Sequence, residues 1–224
     1  MTLLVLRSTL ADQAFECLTD AIVRGELFPG AALSELEIAA KLGISRGPAR
    51  EAIHRLEAKG LVTRSPHLGA RVVELKLEDV RELFQMREAL EGMTCRLAAI
   101  TMSDSDLDAL ASNLVAHSQQ PELAAGESYY QPGGDNDFHF RIARGSGNTR
   151  LIRALCDDLY HVMRVYRFRS STQAGRARQA LGEHQGIAAA LRARDPDAAE
   201  ARMREHIRQS WKSTEALASS QINP

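Results

Sequence analysis

The chain has 224 residues, 44% of them apolar and 25% charged, which suits a globular protein with room for two small domains. Its formal net charge is −1, so any basic footprint for nucleic acid has to be local. No apolar run approaches the ~20 residues of a membrane span, and the apolar start at residues 1–6 is too short for a signal-peptide core. Cys17, Cys95 and Cys156 are far apart and odd in number, which argues against a disulfide framework or a zinc ribbon and for reduced thiols in a cytoplasmic protein.

Residues 11–24 read as a helix with Ala14, Leu18 and Ile22 on one face, stopped by Gly25, and Phe28-Pro29-Gly30 is a turn. Ser34 followed three residues later by Glu37 is a capping-box pattern, and it opens a helix that carries Ile38, Ala39 and Leu42 inward and stops at Gly43. Ser45 caps the next helix, where Pro48 is tolerated in the first turn and Ala49, Ile53 and Leu56 keep helical period up to Gly60. The strand-like runs at 61–63 and 70–73 flank Ser65-Pro66-His67-Leu68-Gly69 and predict a hairpin. Helix, helix, tight turn, helix, hairpin is the order of a winged helix-turn-helix.

After Glu74 strand signals vanish. Helical segments are predicted over about 76–101, 103–119, 122–145, 148–170, 174–194 and 196–218, with Pro132-Gly133-Gly134 breaking the third. The fold expected is therefore mainly α: a winged helix-turn-helix over residues 1–74, then an all-α antiparallel six-helix bundle over 75–224.

In a helix-turn-helix the start of the second helix enters the major groove. Arg46 and Arg50 are four apart and share a face, and arginine can grip guanine O6 and N7 with two parallel hydrogen bonds. Ser45 and Gly47 let the backbone approach a phosphate at a helix N-terminus. From Lys41 to Arg71 there are seven basic residues (Lys41, Arg46, Arg50, Arg55, Lys59, Arg64, Arg71) against Glu51 and Glu57, a local balance of +5. The competing reading is a scaffold with solvated charges, and His54 and His67 read as surface residues.

In the second half, Asp135 and His139 are four apart. His184 and His206 each lie eleven residues from Asp195, beside Pro196, so an antiparallel hairpin brings the two imidazoles abreast. Three imidazoles and a carboxylate facing a bundle interior suit Zn²⁺, Ni²⁺ or Mn²⁺. The alternative is that each histidine is a hydrogen-bonded core residue, which is the reading for His117 and His161. Arg87 falls on the apolar stripe Val80, Leu83, Phe84, Leu90, Leu97, where a charge is costly unless paired. Either Glu91 pairs with it, or it is a fork for a ligand carboxylate.

Two stretches carry a specific resemblance. The run from Leu42 through Ser45-Arg46-Gly47-Pro48-Ala49-Arg50-Glu51-Ala52-Ile53, with Leu56-Glu57-Ala58-Lys59-Gly60-Leu61-Val62, resembles the signature of the GntR family of transcriptional regulators. That implies operator contacts by Ser45, Arg46 and Arg50, with Gly69 at the wing tip. Two departures are Gly47, where the family usually has threonine, and Leu36, where some members have a DNA-contacting arginine.

Arg87-Glu88-Ala89-Leu90-Glu91, Asp135-x-x-x-His139, Gly145-Ser146-Gly147-Asn148, and His184 with Asp195 and His206 resemble the FCD ligand-binding domain of the FadR subfamily, in its VanR-like form. The resemblance implies a metal, zinc foremost, held by Asp135, His139, His184 and His206, with open positions for a small organic acid and with Arg87 and Asn148 nearby. The function it implies is a homodimer on a palindromic double-stranded DNA operator, repressing until the acid binds. The rival reading is a helical metalloenzyme acting on a small carboxylate. Against it, neither a His-Asp dipeptide, a Glu-x-x-His pair nor a Gly-x-Ser-x-Gly elbow occurs in residues 75–224, where the histidines of interest lie.

Overall fold

The computed structural model describes residues 8–222, with side chains through residue 219. The apolar start at residues 1–6 lies outside the described residues. These fall into two compact units, one ending at Glu74 and the other starting at Leu75.

The first unit has three helices, α1 (Leu10–Val23), α2 (Glu35–Leu42) and α3 (Arg46–Ala58), and a small sheet of β1 (Ala32–Leu33), β2 (Val62–Ser65) and β3 (Gly69–Val72). A reciprocal cap between Thr9 and Asp12 starts α1. Asp12 also takes a 2.6 Å bond from Arg55 of α3, whose guanidinium lies 4.4 Å from the centre of the Phe15 ring, so α1 is fastened to α3. Ala49 and Ala52 let the helices approach closely, and Ile53, Leu56 and Leu61 fill the core with almost no exposure. The Ser34 hydroxyl caps α2, and Gly43 ends it in the left-handed conformation, φ 65°. In the sheet β3 is central and antiparallel to both neighbours, with Leu33 opposite Ala70 and Val62 opposite Val72. The two-residue β1 carries no sequence signal of its own; it pairs because Arg71 Nη1 and the Val72 carbonyl both bond Gly30.

The second unit has α4 (Leu77–Thr101), α5 (Asp104–Ser118), α6 (Pro121–Ala125), α7 (Phe138–Gly145), α8 (Thr149–Ile152), α9 (Tyr160–Ser171), α10 (Arg176–Arg192) and α11 (Pro196–Ile222). Five of these have 12 residues or more and three are short, and none is long and apolar enough to cross a membrane. α11 runs along α4, and α10 folds back on α11. The α10–α11 turn uses Arg194 at φ 56° and an Asp195 side chain that accepts from Ala198 N–H, with Pro196 as the first residue of α11. The 122–145 segment is broken at Pro132-Gly133-Gly134 as expected, but more widely, into α6, a non-helical stretch, a 3₁₀ turn (Gly134–Asn136) and α7; the 148–170 helix is split by a π-helical stretch, Arg153–Asp158. Cys95 and Cys156 are buried and Cys17 is exposed, all three as free thiols.

Candidate functional site

On the first unit, Arg46 and Arg50 project from the start of α3, their side chains 65% and 55% exposed. Glu35 of α2 sits between them: both its oxygens accept from Arg50 Nε, at 3.1 and 3.2 Å, and Arg46 Nη2 lies 3.7 Å away. Ser45 precedes α3 but makes no side-chain cap bond, and a Cβ added at Gly47 would meet nothing within 4 Å, so this helix end is open. Gly69, at φ 70°, pairs with Ser65 at the base of the hairpin loop, whose outermost residues are Pro66, His67 and Leu68. The wing tip is therefore those three residues, and Gly69 closes it.

On the second unit, His139 (first turn of α7), His184 (α10) and His206 (α11) converge, each buried, with one ligating atom apiece lying within 4.8 Å of the others. His184 Nε2 and His206 Nε2 are 3.3 Å apart. Phe138 stacks on His184, 4.2 Å between ring centres. Each Nδ1 is engaged from behind: His139 by Glu91 Oε2 at 2.5 Å, His206 by Glu183 Oε2 at 2.6 Å, His184 by the Tyr129 hydroxyl at 3.2 Å. Arg87 Nε in turn donates to Glu91 at 2.8 Å, and Arg176 holds Glu183 with two bonds of 2.7 and 2.8 Å.

A carboxylate only accepts, so His139 and His206 carry their protons on Nδ1 and present bare Nε2 lone pairs. Burial pushes all three histidines below the usual imidazole range, His184 well below it and His206 to about 4. Burial alone would raise Glu91, but Arg87 and His139 outweigh it and hold that carboxyl well below the usual range. His139 Nε2 is buried with no hydrogen-bond partner. Neutral imidazoles with lone pairs aimed at one point, each braced by a hydrogen-bond partner behind it, are what a divalent transition metal requires. The donor set fits such an ion.

Asp135 does not join them. Its side chain is 72% exposed, with Arg144 3.8 Å away. The cause is local: Asp137 takes the N-cap of α7, accepting from the His139 and Phe140 amides, so the helix starts at Phe138. Asp135 is left in the 3₁₀ turn, and residues four apart share a face only within one continuous helix. Asn148 is likewise corrected: it is exposed and caps α8, accepting from Arg150 N–H and Leu151 N–H.

Arg87 is fully buried, and both readings of it have a place. Its Nε pairs with Glu91, while Nη1 and Nη2 have no hydrogen-bond partner. Arg167 of α9 repeats the pattern, with Nη1 on Asp137 at 3.1 Å and Nη2 buried without a partner. Sequence reasoning missed Arg167, Asp137, Glu183 and Tyr129. Two signals were available: Asp137 is a strong N-cap residue directly before Phe138-His139-Phe140, and Glu183 lies two turns beyond Arg176 on one helix.

Residues 10–72 match the family described as bacterial regulatory proteins, gntR family, and residues 82–209 match the FCD domain. The probable D-xylose utilization operon transcriptional repressor of Paenarthrobacter nicotinovorans is 33% identical over 201 residues, covering 90% of this chain and 87% of that one. The HTH-type transcriptional repressor RspR of Escherichia coli K12 is 27% identical, covering 88% and 85%. Among solved structures, E. coli McbR/YncC superimposes with a TM-score of 0.75 at 23% identity, covering 97% of this chain and all of that one. A GntR regulator from Rhodococcus sp. RHA1 gives 0.71 at 23% identity, covering 92% and 97%. At those identities the structures speak for the fold.

Proposed function

Since this chain belongs to the GntR family of bacterial transcriptional regulators, with an FCD domain behind the DNA-binding unit, we propose that it is a repressor whose hold on its operator is set by a small organic acid bound beside a metal. The family and the named relatives are regulators and not enzymes, which sets the metalloenzyme reading aside. The observation that carries the proposal is the convergence of three braced imidazoles beside buried, partnerless guanidinium nitrogens.

In the first unit, the start of α3 enters the major groove. Arg46 and Arg50 read base edges, Ser45 and the open backbone at Gly47 sit against phosphate, and the hairpin closed by Gly69 lies along the flanking groove. Two copies of the chain read the two halves of a palindrome in the cytoplasm.

In the second unit, His139, His184 and His206 would hold a divalent transition metal, which would supply a Lewis-acidic centre able to attract a carboxylate. Glu91 does two things. It keeps the His139 proton on Nδ1, and it fixes Arg87 through Nε so that both Nη groups stay free. A carboxylate is the natural partner for such a fork, because burying guanidinium donors without an acceptor costs free energy. The acid acts by binding more tightly to one arrangement of the dimer than to another.

The test begins with full-length protein retaining fragments of genomic DNA at ~0.15 M salt, where non-specific phosphate binding is weakened. Enriched inverted repeats support the reading; the absence of any enriched sequence overturns it. Calorimetry with Zn²⁺ on chelator-stripped protein then separates the ligands. His184→Ala and His206→Ala should each lose most of the affinity, and Asp135→Ala should leave it within about twofold, against the ten- to hundredfold that even an outer partner commands. Wild-type response to carboxylic acids in a His139→Ala, His184→Ala double variant would sink the role of the metal.

A further inference from the structure

Tyr129 lies between α6 and the 3₁₀ turn and is buried, with its ring between those of His117 (α5) and His184. The hydroxyl is 2.8 Å from His117 Nδ1 and 3.2 Å from His184 Nδ1. The other nitrogen of His117, Nε2, is 2.9 Å from the Asn136 carbonyl, which also accepts from Asn113 at 3.2 Å.

These contacts fix every proton in the row. A carbonyl oxygen only accepts, so His117 Nε2 carries the hydrogen. A neutral imidazole has one ring proton, so His117 Nδ1 is a lone pair and the Tyr129 O–H donates to it. That commits the phenol's only proton. At His184 the phenol oxygen can then only accept, so Nδ1 is the N–H and Nε2 is bare. His184 therefore faces His206 with two lone pairs 3.3 Å apart and no proton between them.

We infer that Tyr129 and His117 are positioning residues for the metal centre: through a directed chain, Asn136 C=O ← His117 ← Tyr129 ← His184, they hold His184 in the tautomer that can ligate. This rests on the reading of the three histidines as a metal site. The carboxylates Glu91 and Glu183 enforce the tautomer of His139 and His206 by charge. His184 has no acid behind it, and a neutral phenol can do the same work only if its own proton is directed elsewhere. His117 is what directs it. The metal ligand is thereby tied to the backbone of the 3₁₀ turn, immediately before the Asp137 cap that positions His139.

The experiment uses full-length, chelator-stripped protein with ¹⁵N-labelled histidine and long-range ¹H–¹⁵N correlation, followed by Zn²⁺ titration. Wild type should show His184 protonated on Nδ1 and bare at Nε2 before any metal is added. Tyr129→Phe removes the acceptor and should move the proton partly or wholly to Nε2, with Zn²⁺ affinity falling about ten- to hundredfold. His117→Phe leaves Tyr129 in place but frees its hydroxyl to donate to His184, so it should produce the same tautomer change; it also guards against a fold defect peculiar to the first variant. A wild-type His184 protonated on Nε2 would overturn the inference, as would variants that keep both tautomer and affinity. Should wild type bind no Zn²⁺ and yet show the tautomer and its loss in the variants, the metal reading falls and the chain of bonds stands.

Discussion

At the scale of single residues, the contact between Glu35 and the two α3 arginines bears on how the DNA-binding unit discriminates. Glu35 engages Arg50 through Nε alone, which is the arrangement the proposed Nη contacts to a guanine edge require. A carboxylate at that place also repels phosphate, so it penalises any binding that does not use the arginine fork. Arg50→Ala should therefore cost about 1–3 kcal/mol of operator discrimination. Glu35→Gln should raise affinity for random DNA while lowering the ratio of specific to non-specific binding, read by fluorescence anisotropy on both duplexes at one salt concentration. The buried histidines make a second prediction. With its folded value at about 4 against an ordinary 6.5, His206 stays neutral in the native protein while the unfolded chain takes up a proton. Stability from this group is full above pH 6.5 and is lost as pH falls toward 4. His139 and His184 shift in the same direction. The urea midpoint of metal-free protein should fall between pH 7.5 and pH 5, and Zn²⁺ should widen the difference, since protons compete with the metal for the same nitrogens.

At the scale of elements, the helices and hairpin were legible because their signals are local: caps, glycine stops, apolar period. The pairing of His184 with His206 was also legible, because a hairpin hinged at Asp195-Pro196 turns equal sequence distance into spatial proximity. Asp135 was not. Reading it as a ligand assumed an unbroken helix, and one N-cap two residues later removed that assumption. Tyr129 was hidden for a related reason: it reaches the site from a stretch without periodicity, 55 residues from its partner. One long helix makes a further prediction. Met86, Met93 and Ile100 of α4 are exposed at seven-residue spacing, with 47%, 39% and 65% of their surface accessible. A stripe at that repeat is the seam by which two helices pack, and α4 of a second copy is the partner that a dimeric regulator would bring to it. Met93→Lys should shift the protein toward monomer in sedimentation velocity, with Zn²⁺ affinity unchanged; a dimer that survives it uses another face.

For the whole molecule, a chain of net charge −1 concentrates a balance of +5 between Lys41 and Arg71, offset by −4 over residues 1–40 and −2 over residues 72–224. On the proposed function the two units face different ligands with different physics: long-range, salt-screened attraction at the local basic stretch of the first, and short-range coordination inside a desolvated core for the second. The cysteines divide along the same line. Burial drives the thiols of Cys95 and Cys156 far up, the latter to about 12, while Cys17 stands exposed on α1 of the first unit. Only the thiolate attacks an electrophile, so a maleimide dye on the unmodified, folded protein should attach once per chain, and mass spectrometry of the digest should find it on Cys17. The regulator thus carries a single native attachment point for a dye on the DNA-binding unit, through which the proposed release from an operator could be followed in real time without any substitution.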